Sequence, residues 1–65
     1  MGFTNREKAD CAKREVTQRK RVYQRQVADG RMKANFAARQ IGMMEEIAAE
    51  YAAKAEAEEA EGRLI

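Results

Sequence analysis

Histidine, serine, proline and tryptophan are all missing from this sequence, and cysteine occurs once, as Cys11. Without histidine, serine or a second cysteine, the usual acid-base pairs, activated nucleophiles and transition-metal ligand sets cannot be assembled, so no enzymatic activity, metal or cofactor is expected. A single thiol rules out an intramolecular disulfide and suits a reducing compartment. On a helix Cys11 falls near the flank of the apolar face, where a packed or half-exposed inert thiol is expected. No run approaches the ~20 apolar residues that cross a bilayer, and the opening MGFTNREK is polar rather than an apolar signal region, which places the chain in the cytoplasm. Gly2 does not make a myristoylation signal, because Arg6 stands where that motif needs Ser or Thr.

What is present points to helix. Hydrophobic residues make up 45% and charged residues 37% of the 65, with abundant Ala, Glu, Lys, Arg and Gln. The chain is one domain, residues 1–65, of the all-α class. It is short of the size at which a single core usually holds a chain together, and with no disulfide or metal to help, oligomerisation is the remaining device. Gly30 marks the one clear break, within Ala28-Asp29-Gly30-Arg31-Met32. The spacing predicts helix 1 over about 5–29, a turn over about 29–32 and helix 2 over about 33–61, closing near Gly62. A loop this short makes the helices antiparallel neighbours, a two-helix hairpin.

Thr4 followed by Glu7 is a T-x-x-E capping box at the start of helix 1, worth about 1 kcal/mol. At about 100° per residue, Ala9, Ala12, Val16, Tyr23 and Val27 share one face, with Lys20 near its edge. Gly30 suits the left-handed conformation that ends a helix, Arg25 complements the negative end of the dipole, and Met32 is placed to cover the end of the core. Helix 2 lacks a capping Ser or Thr, since Lys33 stands there. Gly42 inside it costs up to about 1 kcal/mol relative to Ala and is either tolerated or leaves room for another backbone. The Ala/Glu-rich tail should be helical and then fray, with Leu64 and Ile65 either disordered or packed on a partner.

The stretch 36–55, FAARQIGMMEEIAAEYAAKA, carries more apolar surface than helix 1 can cover. Ala37, Ile41, Met44, Ala48, Tyr51 and Ala55 form one stripe, and Phe36, Met43 and Ile47 form a second ridge beside it, an arc of roughly 160°. One neighbouring helix needs less than that. The core is therefore read as Val16, Val27, Ile41, Met44, Ala48 and Tyr51, and Phe36, Met43 and Ile47 as a dimer seam that joins two hairpins into a four-helix arrangement.

Charge divides by half: residues 1–30 hold eight Lys/Arg against four Asp/Glu, net +4, and residues 31–65 hold five against seven, net −2. An antiparallel hairpin then sets Glu50 and Glu56 near Arg6, Lys13 or Arg14. Arg14, Arg21 and Arg25 line up opposite the apolar face of helix 1, with Gln18 completing the row. Three readings of this row are open: contact with nucleic-acid phosphates, bidentate docking onto the carboxylates of a protein, or a solvated face. The low net charge of +2 and the lack of an exposed aromatic for stacking weigh against nucleic acid. Tyr23 and Tyr51 belong to the inner faces; at a seam, the hydroxyl of Tyr23 would be a partner contact.

Arg14-Glu15-Val16, Arg21-Val22-Tyr23, Val27, Gly30-Arg31-Met32, Ala38-Arg39-Gln40-Ile41, Met44, Ile47-Ala48 and Tyr51 resemble a set of very small phage and prophage helical-hairpin proteins. The pattern covers about residues 6–52. That set includes the quorum-sensing anti-activator of Pseudomonas phages, a dimeric hairpin that binds the DNA-binding domain of a LuxR-type activator and also a type IV pilus assembly ATPase. Family members often carry Pro after the tyrosine, Trp two residues further on and a capping Ser or Thr after Gly-Arg-Met; this chain has Gln24, Gln26 and Lys33. These departures bear on the partner, not on the fold. The resemblance implies a homodimer in the cytoplasm of an infected or lysogenic host that binds a LuxR-type transcriptional activator and blocks its access to DNA. A nucleic-acid-binding dimer and a structural phage component are the alternatives.

Overall fold

The computed structural model describes residues 2–63. Two helices make the fold: α1, Asn5–Ala28, and α2, Ala34–Arg63. Thr4 starts α1 with a complete capping box: its hydroxyl accepts from the Glu7 amide at 3.0 Å, and the Glu7 carboxylate accepts from the Thr4 amide at 2.9 Å. The bond from the Thr4 amide favours the ionised carboxylate and, with the Thr4 side chain beside it, holds the Glu7 carboxyl below the ordinary 4.5. At the other end Asp29 caps α1 and Gly30 takes φ +77°. The Gly30 amide donates to the Val27 carbonyl and the Arg31 amide to the Gln26 carbonyl, the paired bonds of a Schellman closure. Helix 2 begins without a capping hydroxyl, as expected; the Asn35 side chain accepts from the Phe36 amide instead. It runs through Gly62, where closure was expected, to Arg63. Leu64 and Ile65 lie outside the described residues.

The helices are antiparallel: the first turn of α1 pairs near the end of α2, Asn5 with Glu58 and Arg6 with Glu59, and the second half of α1 pairs near its start, Arg19 with Gln40. The molecule measures 53 × 19 × 17 Å. Two helices of about 10 Å diameter fill that cross-section, so each has a single covered side. What fills the interface is small: the buried apolar residues are Ala9, Ala12, Val16, Ala37 and Ala55. Alanines at facing positions bring two helix backbones close together, and close backbones leave longer side chains splayed to the flanks. Of the expected core, only Val16 is buried; Val27, Ile41, Met44, Ala48 and Tyr51 face inward but are only half covered. No large side chain among the described residues is fully enclosed.

The polar pairs also sit away from where charge alone placed them. Arg6 forms a two-pronged contact with Glu59, at 3.0 and 2.9 Å, rather than with Glu50 or Glu56. Glu59 and, more weakly, Glu56 raise the Arg6 guanidinium further above its ordinary value. Lys20 reaches Glu45 at 3.2 Å. Lys13 and Arg14 form no ion pair with a described residue. The shift is one of register: Glu58 and Glu59, rather than Glu50 and Glu56, are the carboxylates of α2 that lie beside the first turn of α1.

Two measurements check this account. A methyl group at Gly42 would meet nothing within 4 Å. Gly42→Ala should therefore stabilise the protein by up to about 1 kcal/mol, raising Tm by roughly 4–8 °C at fixed protein concentration. An unchanged or lower Tm would place another backbone against this position. At the cap, Thr4→Ala should cost about 1 kcal/mol. Because the Glu7 carboxyl is held down, its contribution is present above the unfolded value of 4.5 and is lost as pH falls through the lower folded value. Glu7→Gln should flatten that acid limb in a thermal titration, and an unaltered limb would remove Glu7 from it.

Candidate protein interface

The large apolar side chains that do not fit between the helices are on the outside: Phe3 is 74% exposed, Phe36 52%, Met43 44%, Ile47 40% and Val22 38%, and the two phenylalanines correct the expectation that no aromatic is exposed. Phe36, Met43 and Ile47 are the residues that the sequence assigns to a seam, and all three are uncovered. Their spacing of seven and four residues keeps them on one side of α2. Phe3 and Val22 extend the same side. Phe3 lines an open groove of about 670 Å³ between the helices together with Cys11, Met44, Ile47 and Tyr51. Val22 lies one turn beyond Arg19, and Phe36 one turn before Gln40, the carbonyl that Arg19 holds; the two therefore share the hairpin end of this face.

Polar residues frame the groove. The Tyr51 ring has the Lys8 ammonium 5.4 Å and the Lys54 ammonium 5.0 Å from its centroid, which fixes the ring between the cation-bearing stems. Arg19 donates through Nε to Glu15 at 2.9 Å and through Nη1 to the Gln40 carbonyl at 3.1 Å, tying α1 to the backbone of α2 in the middle of the face. Cys11 is exposed here. The expectation of a packed or half-exposed thiol is corrected: the alanine interface holds α1 so that its flank, where Cys11 sits, opens onto the groove.

Along the outer side of α1, Arg14, Arg21 and Arg25 are exposed and form no ion pair or hydrogen bond with a described residue, and Arg14 also lines the edge of the groove. The contrast with Arg6, Arg19 and Lys20 is informative, since those cations lie on the flanks facing α2 and find carboxylates or a carbonyl there. The row is not purely basic: Asp10 and Arg14, one turn apart, line a shallow depression with Lys13 and Thr17. Tyr23 is half-buried on the inner face of α1, away from this row, so the structure does not join it to the three arginines.

Phe3 and Val22 are the exposed large apolar residues that sequence reading missed. Val22 was legible, since it follows Glu15 by seven residues and falls beside Cys11 on a helical projection. Phe3 was not, because it precedes the first helix and no periodicity reaches it. Among the described residues no group of acidic, cysteine or histidine side chains is placed to hold a metal ion, and no helix is long and apolar enough to cross a membrane. Comparison with protein-family models, with curated proteins and with solved structures finds no match to this chain.

Proposed function

We propose that this protein is a non-catalytic interaction module: a helical hairpin that pairs with a second copy into a four-helix arrangement and binds another protein. The observation that carries this reading is the inversion of its apolar residues, with alanines inside and Phe3, Phe36, Met43, Ile47 and Val22 outside. A contiguous apolar face of this kind marks an interaction site, because water is a poor neighbour for it and no described residue covers it. The resemblance to phage hairpin proteins gives the partner: a LuxR-type transcriptional activator of the host, bound at its DNA-binding domain in the host cytoplasm and held off DNA, with a pilus assembly ATPase as a second target.

The unpaired row of Arg14, Arg21 and Arg25 suits such a partner. Arginine docks planar carboxylates in bidentate fashion, and it is among the residues that dominate protein interfaces when desolvated. The same row supports the alternative of direct nucleic-acid binding by a paired basic face. Asp10 beside Arg14 favours the protein reading, since a carboxylate in the row opposes a polyanion but not a mixed protein surface.

A gel-shift titration against a LuxR-type activator on its operator tests this. The protein should release the activator from DNA at micromolar concentration or below. Arg14→Ala, Arg21→Ala and Arg25→Ala together should raise the concentration needed by at least about tenfold without altering the helical content. If instead the protein shifts DNA alone, with an affinity that collapses as salt rises, the nucleic-acid reading takes its place. Neither effect at high protein concentration would remove both.

A further inference from the structure

The exposed apolar face has two parts that complement one another. At one end is a protruding side chain, Phe36. At the other is a recess, the groove of about 670 Å³ lined by Phe3, Cys11, Met44, Ile47 and Tyr51. Phe36 and Ile47 are eleven residues apart, about three turns or 16 Å, and so lie on the same side of α2. A face that carries a knob at one end and a hole at the other closes on its own copy when the copy is turned end for end. We infer that in the pair Phe36 of each protomer enters the partner's groove between Ile47 and Tyr51, with α2 packed antiparallel on the partner's α2 about a two-fold axis near Met43. This deepens the self-association proposed above and rests on it.

The charges on the same helix select that register independently. Arg39, Glu46 and Glu50 are exposed and form no ion pair with a described residue. They sit on the ridge that contains Met43, at spacings of four, three and four residues. A two-fold axis at Met43 sets residue 39 opposite residue 47 of the other copy, and so brings Arg39 between the partner's Glu46 and the partner's Glu50. The same axis sets residue 36 opposite residue 50, which puts the Phe36 ring within a turn of Ile47 and Tyr51. One register satisfies both the apolar and the charged requirement. A parallel pairing satisfies neither, because it stacks Arg39 on Arg39 and Glu46 on Glu46 and leaves each Phe36 away from a groove. Cys11, which lines the groove, is covered when the ring enters.

Sedimentation equilibrium of the full chain, combined with the alkylation rate of Cys11, tests the arrangement. The dimer should dissociate at least about 30-fold more readily after Phe36→Ala, the effect of losing an interfacial anchor. In wild type, Cys11 should react about tenfold more slowly than in the unfolded chain, and Phe36→Ala or dilution below the dissociation constant should restore the faster rate. Arg39→Glu and the double change Glu46→Arg with Glu50→Arg should each weaken the dimer, and mixing the two variants should give a heterodimer tighter than either homodimer. The mixing result does not depend on how well a single truncated variant folds. A dimer whose Cys11 reacts at the unfolded rate, or a mixture no tighter than its components, would overturn this register while leaving self-association standing. A wild-type chain that sediments as a monomer at all concentrations would remove self-association itself, and this arrangement with it.

Discussion

Small side chains at the contact between two helices are the constraint on which the rest of this structure depends. Ala9 and Ala12 on α1, with Ala37 and Ala55 on α2, let the backbones approach, and Val16 is the largest residue that the contact encloses. Burying an alanine removes little apolar area from water, so the hairpin gains far less from its interior than a leucine-rich pair of the same length would gain. Close approach has a second consequence. Side chains that point only partly inward, such as Ile41, Met44 and Tyr51, are pushed to the flanks and half covered, and those one step further round are not covered at all. The exposed ridge of Phe36, Met43 and Ile47 is thus a geometric result of the alanine contact rather than a separate feature.

With so little held inside, local chemistry and charge take a larger share in defining the hairpin. The capping box at Thr4 and the Schellman closure at Gly30 fix where α1 begins and ends, which sets the direction in which α2 returns. Register along the contact is then pinned at the open end by Arg6 with Glu59 and again further along by Lys20 with Glu45 and Arg19 with the Gln40 carbonyl. Exposed ion pairs contribute little net stability, roughly 0–1 kcal/mol each. Their value here lies in choosing one alignment where a row of alanines, each much like the next, would permit sliding by a turn.

The fold was legible in the sequence because its signals are local. The T-x-x-E box, the lone break at Gly30 and the helical spacing of the apolar residues are each complete within a few residues, and the helix bounds follow from them to within one or two positions, save at Gly62, where a helix rich in Ala and Glu carries through. The uncovered ridge was legible for the same reason, as an arc too wide for one neighbour. What sequence could not supply was the depth of burial. A helical projection shows which residues face inward but not how near the helices come, so Ile41, Met44 and Tyr51 were read as core alongside the alanines, when the alanines set the spacing. The ion pairs were displaced for a related reason: they depend on the register of α2 against α1, which the spacing along either helix alone does not set.

The two surfaces left free by this packing meet at Arg14. The apolar ridge lies on α2 and on the groove side of α1, and Arg14 lines the edge of the groove, whereas Arg21 and Arg25 continue the row along the outer side of α1. An assembly formed through the ridge would cover grease and leave Arg21 and Arg25 in water. A two-fold assembly presents two such rows related by the same axis, which suits a partner that is itself symmetric or that offers two acidic patches, and doubles the contacts available without lengthening the chain. The alanine contact, by pushing the large side chains out, leaves so short a chain with Phe36, Met43 and Ile47 in water, the kind of surface that self-association would cover.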